Sequence, residues 1–291
     1  MKTAMVTGAS SGVGLELTRR LLAEGWRVET LTRSEVPLDG PTEAARHEGR
    51  LVGRTADLAD EAARARALQM IAADPAPLDV LFNVAGVSLG APALSPQGRD
   101  IHFEVNTLAP FIVTMQLQAR LLRSAGRTII NASSNAALMV KAFEPAELER
   151  PKSFRKLLGP YASSKLALSL WTEAVAPRLA RDGLRLLSVC PGANKTPMTA
   201  GDGMPWWLMP SRHLLFSHPR VGAARLWDAA FASPSARTGA FLVKGKPKAV
   251  PFAERADEVL ALMENAAAGA VSNEESSLRR GAAFGSSTFE R

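Results

Sequence analysis

The stretch from Lys2 to Gly25 constrains the fold more than any other part of the chain. Lys2–Thr7 reads as a short buried strand, and Gly8-Ala-Ser-Ser-Gly12-Val-Gly14 follows without a linker. Leu15, Leu17, Leu21 and Leu22 then recur at helical spacing until Gly25 ends the run. A strand that turns through glycines into a helix lets backbone N–H groups approach a pyrophosphate, and the helix dipole favours the anion. Gly8, Ser10, Ser11, Gly12, Val13 and Gly14 are therefore candidate cofactor-binding residues. Their spacing differs from the common GxGxxG fingerprint, and a tight turn without a ligand would carry the same glycines.

Downstream, the pattern repeats. Strands are predicted at Trp26–Thr32, Leu51–Ala56, Leu78–Val84, Arg127–Ala132, Leu184–Val189 and Gly239–Val243. Between them fall helices beginning near Glu61 and spanning Asp100–Arg123, Tyr161–Arg181 and Val221–Phe231. This alternation predicts an α/β fold, one doubly wound parallel sheet of about seven strands covered on both faces. Residues 1–250 are assigned to a dinucleotide-binding and catalytic domain, with an insert at 139–159 and a Met- and Trp-rich loop at 193–216. That loop (Met198, Met204, Trp206, Trp207, Leu208, Met209) reads either as a lid over an apolar substrate or as packing against the body. Residues 251–291 form an extension, expected as a short amphipathic helix over Ala253–Ala268 and a disordered tail from Ser272.

Composition excludes other classes. With 46% apolar and 22% charged residues the chain resembles a soluble globular protein. No run is long enough for a membrane helix, and no signal-peptide pattern opens the chain. The single cysteine, Cys190, excludes an internal disulfide framework and fits a reducing, cytoplasmic compartment. The four histidines lack metal-ligand spacing with it, so no metal is expected. A net charge of +7 raises the question of nucleic acid. The basic residues are mostly scattered among acids, which points to solvated faces instead.

Two further positions carry chemistry. In dinucleotide folds an acid near the end of the second strand holds the ribose hydroxyls, whereas arginine there accommodates a 2′-phosphate. This chain has Thr32-Arg33-Ser34 and no acid, which favours NADP(H) over NAD(H), although an ordinary exposed arginine would look the same. Tyr161, the only tyrosine, precedes Lys165 by one helical turn, so the phenol and ammonium share a face. Lowering a phenol from near 10 to about 7 takes roughly 4 kcal/mol, and one charge ~4 Å away supplies about that at an effective dielectric of ~20. A surface helix with an ordinary Tyr and Lys would also carry this pentapeptide.

In combination these segments resemble the short-chain dehydrogenase/reductase family over residues 2–245. Thr7-Gly-Ala-Ser-Ser-Gly-Val-Gly14 is similar to its TGxxxGxG turn, Asn83-Val-Ala-Gly86 to its NNAG segment with Val84 in place of the second asparagine, and Tyr161-x-x-x-Lys165 to its YxxxK pair. The resemblance implies Asn106, Ser134, Tyr161 and Lys165 as catalytic residues. It adds Asp57 and Leu58 beside the adenine, Asn83, Ala85 and Gly86 along the cofactor, and Pro191, Gly192 and Thr196 at the nicotinamide. Tyr161 and Lys165 would also bind the cofactor. It further implies an NADP(H)-dependent oxidoreductase acting on a small-molecule carbonyl or alcohol; a non-catalytic NADP-binding regulator is the alternative. The segment between Ser134 and Tyr161 is longer than is common in the family. It resembles inserts of monomeric carbonyl reductases and favours a monomer, although a homo-oligomer stays open.

Overall fold

Strand register defines the architecture. The computed structural model describes residues 1–204, 216–233 and 236–269. Within them β1 (Thr3–Thr7), β2 (Arg27–Thr32), β3 (Leu51–Thr55), β4 (Val80–Asn83), β5 (Thr128–Ala132), β6 (Arg185–Cys190) and β7 (Phe241–Val243) pair in parallel in the order β3-β2-β1-β4-β5-β6-β7. An eighth strand, β8 (Lys246–Lys248), closes the β7 edge antiparallel. The sequence reading of about seven strands missed it, because Lys-Pro-Lys lacks strand-forming side chains. Lysines and proline are residues that blunt an open sheet edge.

Alternation along the strands assigns the two faces. Met5, Leu81 and Ile129 join one core with Leu117, Leu170 and Trp171, whereas Ala4, Val6, Val80, Phe82 and Ile130 join the other with Leu17 and Leu226. The first core lies under α3 (Glu61–Ala72), α5 (Ala109–Leu122) and α6 (Pro160–Arg181). The second lies under α1 (Gly12–Ala23), α2 (Gly40–His47) and the helix Pro219–Phe231. α6 starts at Pro160, where a missing N–H is harmless, and its buried Trp171 meets Phe111 edge-to-face at 5.5 Å.

Crossovers run from β1 outward to β3, then back across to β4. The order therefore reverses between β1 and β4, where the carboxyl ends of the strands open a crevice. The helix expected over Asp100–Arg123 is interrupted. A short α4 (Ile101–Phe103) passes through a π-helical turn, Glu104–Leu108, before α5 begins. After β7 and β8, a 3-10 turn at Ala253–Arg255 leads into a helix over 256–269 that buries Val259 and Met263 in the first core and is tied to α6 by Arg178 with Glu264 at 2.8 Å. Trp206, Trp207, Leu208, Met209 and the tail from Ser272 lie outside the described residues.

Candidate active site

At the crevice the strand ends surround a cleft of about 620 Å³. Its glycine turn is shaped by close backbone packing. Gly8 has φ +71, and a Cβ there would sit 2.6 Å from Cα of Ala85; a Cβ at Gly14 would collide with the Gly8 carbonyl. The first turn of α1 contains no acid, and the Ser11 side chain makes no cap, so its amide groups are left to an anion. Thr7 Oγ1 accepts from the Val84 and Ala85 amides at 3.0 and 3.2 Å, fixing the loop after β4 against the turn. A cradle in which added Cβ atoms would clash with backbone fits a dinucleotide phosphate.

Ser10, Ser11, Gly12 and Val13 line this part of the cleft, with Arg33, Asp57 and Leu58 at the adjoining strand ends. Arg33 is exposed just beyond β2, between Thr32 and Ser34, which also line the cleft. Asp57 Oδ1 accepts from Ala59 N at 2.9 Å, which holds the turn after β3. Ala85, Gly86, Pro191, Gly192 and Thr196 line the middle of the cleft. The Pro191 carbonyl accepts from Asn194 Nδ2 at 3.1 Å and Arg225 Nη1 at 2.9 Å, two anchors that no motif in the sequence announced.

Asn83 is not brought to the cleft. Its side chain is buried between β4, β5 and α5, and Nδ2 donates to Asn131 Oδ1 at 2.8 Å and Thr114 Oγ1 at 3.2 Å. Asn83 pairs in register with Asn131, so its carboxamide knits the sheet to α5. Its side chain therefore is not among those that line the cleft.

Ser134, Tyr161 and Lys165 line the same cleft. Ser134 caps a 3-10 turn at Asn135–Met139, with Oγ accepting from Ala136 N at 3.2 Å. Lys165 is buried and donates through Nζ to the Ala132 carbonyl at 2.8 Å. Burial brings its pKa down to about 8. Tyr161 departs from the sequence arithmetic, which sets an ammonium beside the phenol to lower it. Burial pushes the Tyr161 hydroxyl up, and its bond with the Ser134 hydroxyl draws it part of the way back. The physical reason is direction: the ammonium is aimed at Ala132, and both groups have lost their water.

Asn106 sits in the π turn and is fully engaged. Oδ1 accepts from Val87 N at 2.8 Å, while Nδ2 donates to Val87 O and Ser164 Oγ, each at 3.0 Å. It thus ties the loop after β4 to α6, and no direct bond joins it to Lys165. The turn is held from below by Glu104, fully buried, which accepts from Arg64 at 2.8 Å and Arg99 at 2.7 Å. His102, also unflagged by the sequence, packs edge-on against the Tyr161 ring at 6.4 Å. Its Nε2 accepts from Leu89 N at 3.0 Å, which places the proton on Nδ1 facing Asp100. Val87, Ile101, Val105, Met139, Leu157 and Phe216 add apolar lining, beside the polar Asn135, Asn194 and Thr199.

The sheet order and this cleft define a dinucleotide-type fold with a Ser-Tyr-Lys grouping at the strand ends. A family model described as short chain dehydrogenase matches residues 2–146. Retinol dehydrogenase 11 of Mus musculus is 32% identical over 229 residues, 76% of this chain and 71% of the relative. A short chain dehydrogenase of Pseudocercospora fijiensis is 28% identical over 206 residues, 69% of this chain; the match spans only 62% of that protein's length. Among solved structures, the Pseudomonas aeruginosa RhlG/NADP active-site complex superposes with a TM-score of 0.64 at 25% identity, covering 83% of this chain and 93% of that one. The chain belongs to the short-chain dehydrogenase/reductase family.

Proposed function

We propose that the protein is an NADP(H)-dependent oxidoreductase that interconverts an apolar carbonyl compound and its alcohol. One observation carries this reading: Ser134, Tyr161 and Lys165 share a cleft with the glycine turn and Arg33. The glycine turn would hold the pyrophosphate, Arg33 a 2′-phosphate, and Asp57 and Leu58 the adenine. Lys165 would hold ribose hydroxyls, and Pro191, Gly192 and Thr196 would border the nicotinamide. When bound, this cofactor supplies or takes up the hydride.

The proton is handled by the chain. With its pKa raised by burial, Tyr161 keeps its proton across neutral pH and serves as general acid to the carbonyl oxygen. In the reverse direction its phenolate would accept the alcohol proton. Ser134 would hydrogen-bond the same oxygen from the part of the cleft it shares with Tyr161. Asn106 keeps the loop at Val87 closed against α6, which preserves the apolar wall that excludes water. That wall, without a charged side chain among Val87, Ile101, Val105, Met139, Leu157 and Phe216, supports an apolar substrate. RhlG was solved with NADP in its active site, which supports the choice of cofactor.

Oxidation of NADPH and NADH in the presence of aldehydes, ketones and quinones of graded size tests the proposal. Turnover with apolar carbonyls, and better use of NADPH, is expected. Tight cofactor binding with no turnover of any of them would leave a non-catalytic cofactor-binding protein.

A further inference from the structure

The insert before Tyr161 is irregular, with short 3-10 turns at Asn135–Met139 and Pro145–Glu147 and no long helix of its own. It nonetheless supplies Met139 and Leu157 to the substrate end of the cleft. Leu157 packs on Tyr161 and Ala162 and adopts φ +61, a left-handed conformation that side chains other than glycine seldom take. Such a conformation persists only where its surroundings enforce it. Locally, Gly159 N donates to Arg155 O at 2.8 Å and Leu158 N to Lys156 O at 2.7 Å, which makes the turn into α6 tight.

Outside contacts hold the insert on two sides. On the α4 side Asp100 N donates to Glu149 O at 2.7 Å, and Phe154 packs on His102 at 6.3 Å. On the opposite side the C-terminal segment is the brace. The Phe143 and Phe252 rings meet at 5.7 Å, and Arg255 Nη2 donates to Glu144 Oε1 at 2.9 Å. Phe143 and Leu148 are buried in one cluster with Val250, Val259 and Met263. Phe252 is itself left-handed, φ +59. Thus two of the four non-glycine residues with positive φ among the described residues stand in this unit, one at the cleft and one at the brace.

We propose that the insert and the C-terminal segment 250–269 form a single unit that fixes the apolar substrate wall, with Phe252 as its positioning residue. The inference rests on the carbonyl-reductase reading and assigns a role to two segments joined by a contact spanning 111 positions, Glu144 with Arg255. Phe252 is not among the cleft-lining residues; it acts through Phe143 and Val140, the latter packed against both the cluster that holds Phe143 and the cluster of Tyr161 and Ala162 on which Leu157 packs.

The test uses the full chain with Phe252→Ala, which removes the ring at unchanged backbone strain, and Phe252→Tyr, which retains it. Hydrogen exchange at amides 139–159 should accelerate about tenfold in Phe252→Ala and stay near wild type in Phe252→Tyr. With propanal and decanal as probes, kcat/KM for decanal relative to propanal should fall about 3- to 10-fold in Phe252→Ala, with cofactor affinity unchanged. Leu157→Ala should give the same change in ranking, and the double variant little more, since both act on one wall. Unaltered exchange at 139–159 overturns the proposal, as does an unaltered decanal-to-propanal ratio in a variant that turns over both. Exchange is read without turnover, so an inactive wild-type protein would count against the oxidoreductase reading alone.

Discussion

The two ends of the cleft are built by different means. At the glycine turn, shape is set by backbone against backbone: Gly8 on Ala85, Gly14 on Gly8, Thr7 on the amides of Val84 and Ala85. At the Tyr161 end, shape is set by side chains from distant segments: His102 behind the phenol, Leu157 beside it, and Phe143 leaning on Phe252. The first end tolerates almost no added atom but depends on few neighbours. The second tolerates size changes and depends on many. Substitutions should therefore separate binding from chemistry, and local strain from long-range support.

Tyr161→Phe should produce the largest effect, a loss of turnover of about 10²- to 10⁴-fold through the missing general acid. Cofactor affinity, measured by fluorescence titration, should remain near wild type because the glycine end is untouched. Gly8→Ala should do the reverse. Left-handed strain of ~1–2 kcal/mol and a Cβ forced onto Ala85 at ~1–3 kcal/mol together give a loss of about 2–5 kcal/mol in denaturant unfolding. Cofactor affinity should fall with it; a Gly8→Ala protein of normal stability and affinity would erase the contrast between the two ends.

Lys165 links the ends through pH. Its folded pKa, about 8, lies below the ordinary value of 10.5, so between these pH values the folded chain has released a proton that the unfolded chain retains. The unfolded state binds more protons, and stability should rise with pH from about 8, by up to roughly 3 kcal/mol from this group. Tyr161 opposes this above pH 10.0, because the unfolded phenol ionises while the buried one does not. Lys165→Met should remove the rise between pH 8 and 10, as read from urea midpoints across that range. The smallest effect is expected at Arg33. Arg33→Ala should weaken NADPH by about 1–3 kcal/mol and leave NADH unchanged. Equal affinities for the two cofactors in the unaltered chain would remove Arg33 from phosphate recognition.

The same contrast explains what could be read from the sequence. Strand ends and the glycine turn were legible because glycine requirements and strand patterns are local, and the sheet is found where the alternation predicts it. The side-chain direction of Asn83 was not legible, because a motif position does not say which way a strand-end side chain faces; here it pairs with Asn131 in the interior. The π turn at Asn106 has no sequence signature; Glu104 within it is held by Arg64 from α3 and by Arg99 just upstream. The partner of the Lys165 ammonium was not legible because helical spacing fixes the separation of two residues but not the acceptor an ammonium chooses, here the Ala132 carbonyl. The joint packing of insert and C-terminal segment depends on contacts such as Phe143 with Phe252, invisible to any window of local pattern.

The central claim is that Tyr161 and its neighbours complete a hydride transfer at one end of a cofactor cleft. Its most direct measurement uses NADPH, and in parallel NADH, deuterated at both C4 positions of the dihydronicotinamide, with an apolar aldehyde and mass analysis of the alcohol formed. The account predicts one deuterium in the product with wild-type protein and almost none in the same time with Tyr161→Phe, at equal cofactor occupancy. Full occupancy of the wild-type protein with no label reaching any of a graded series of carbonyl compounds would contradict it.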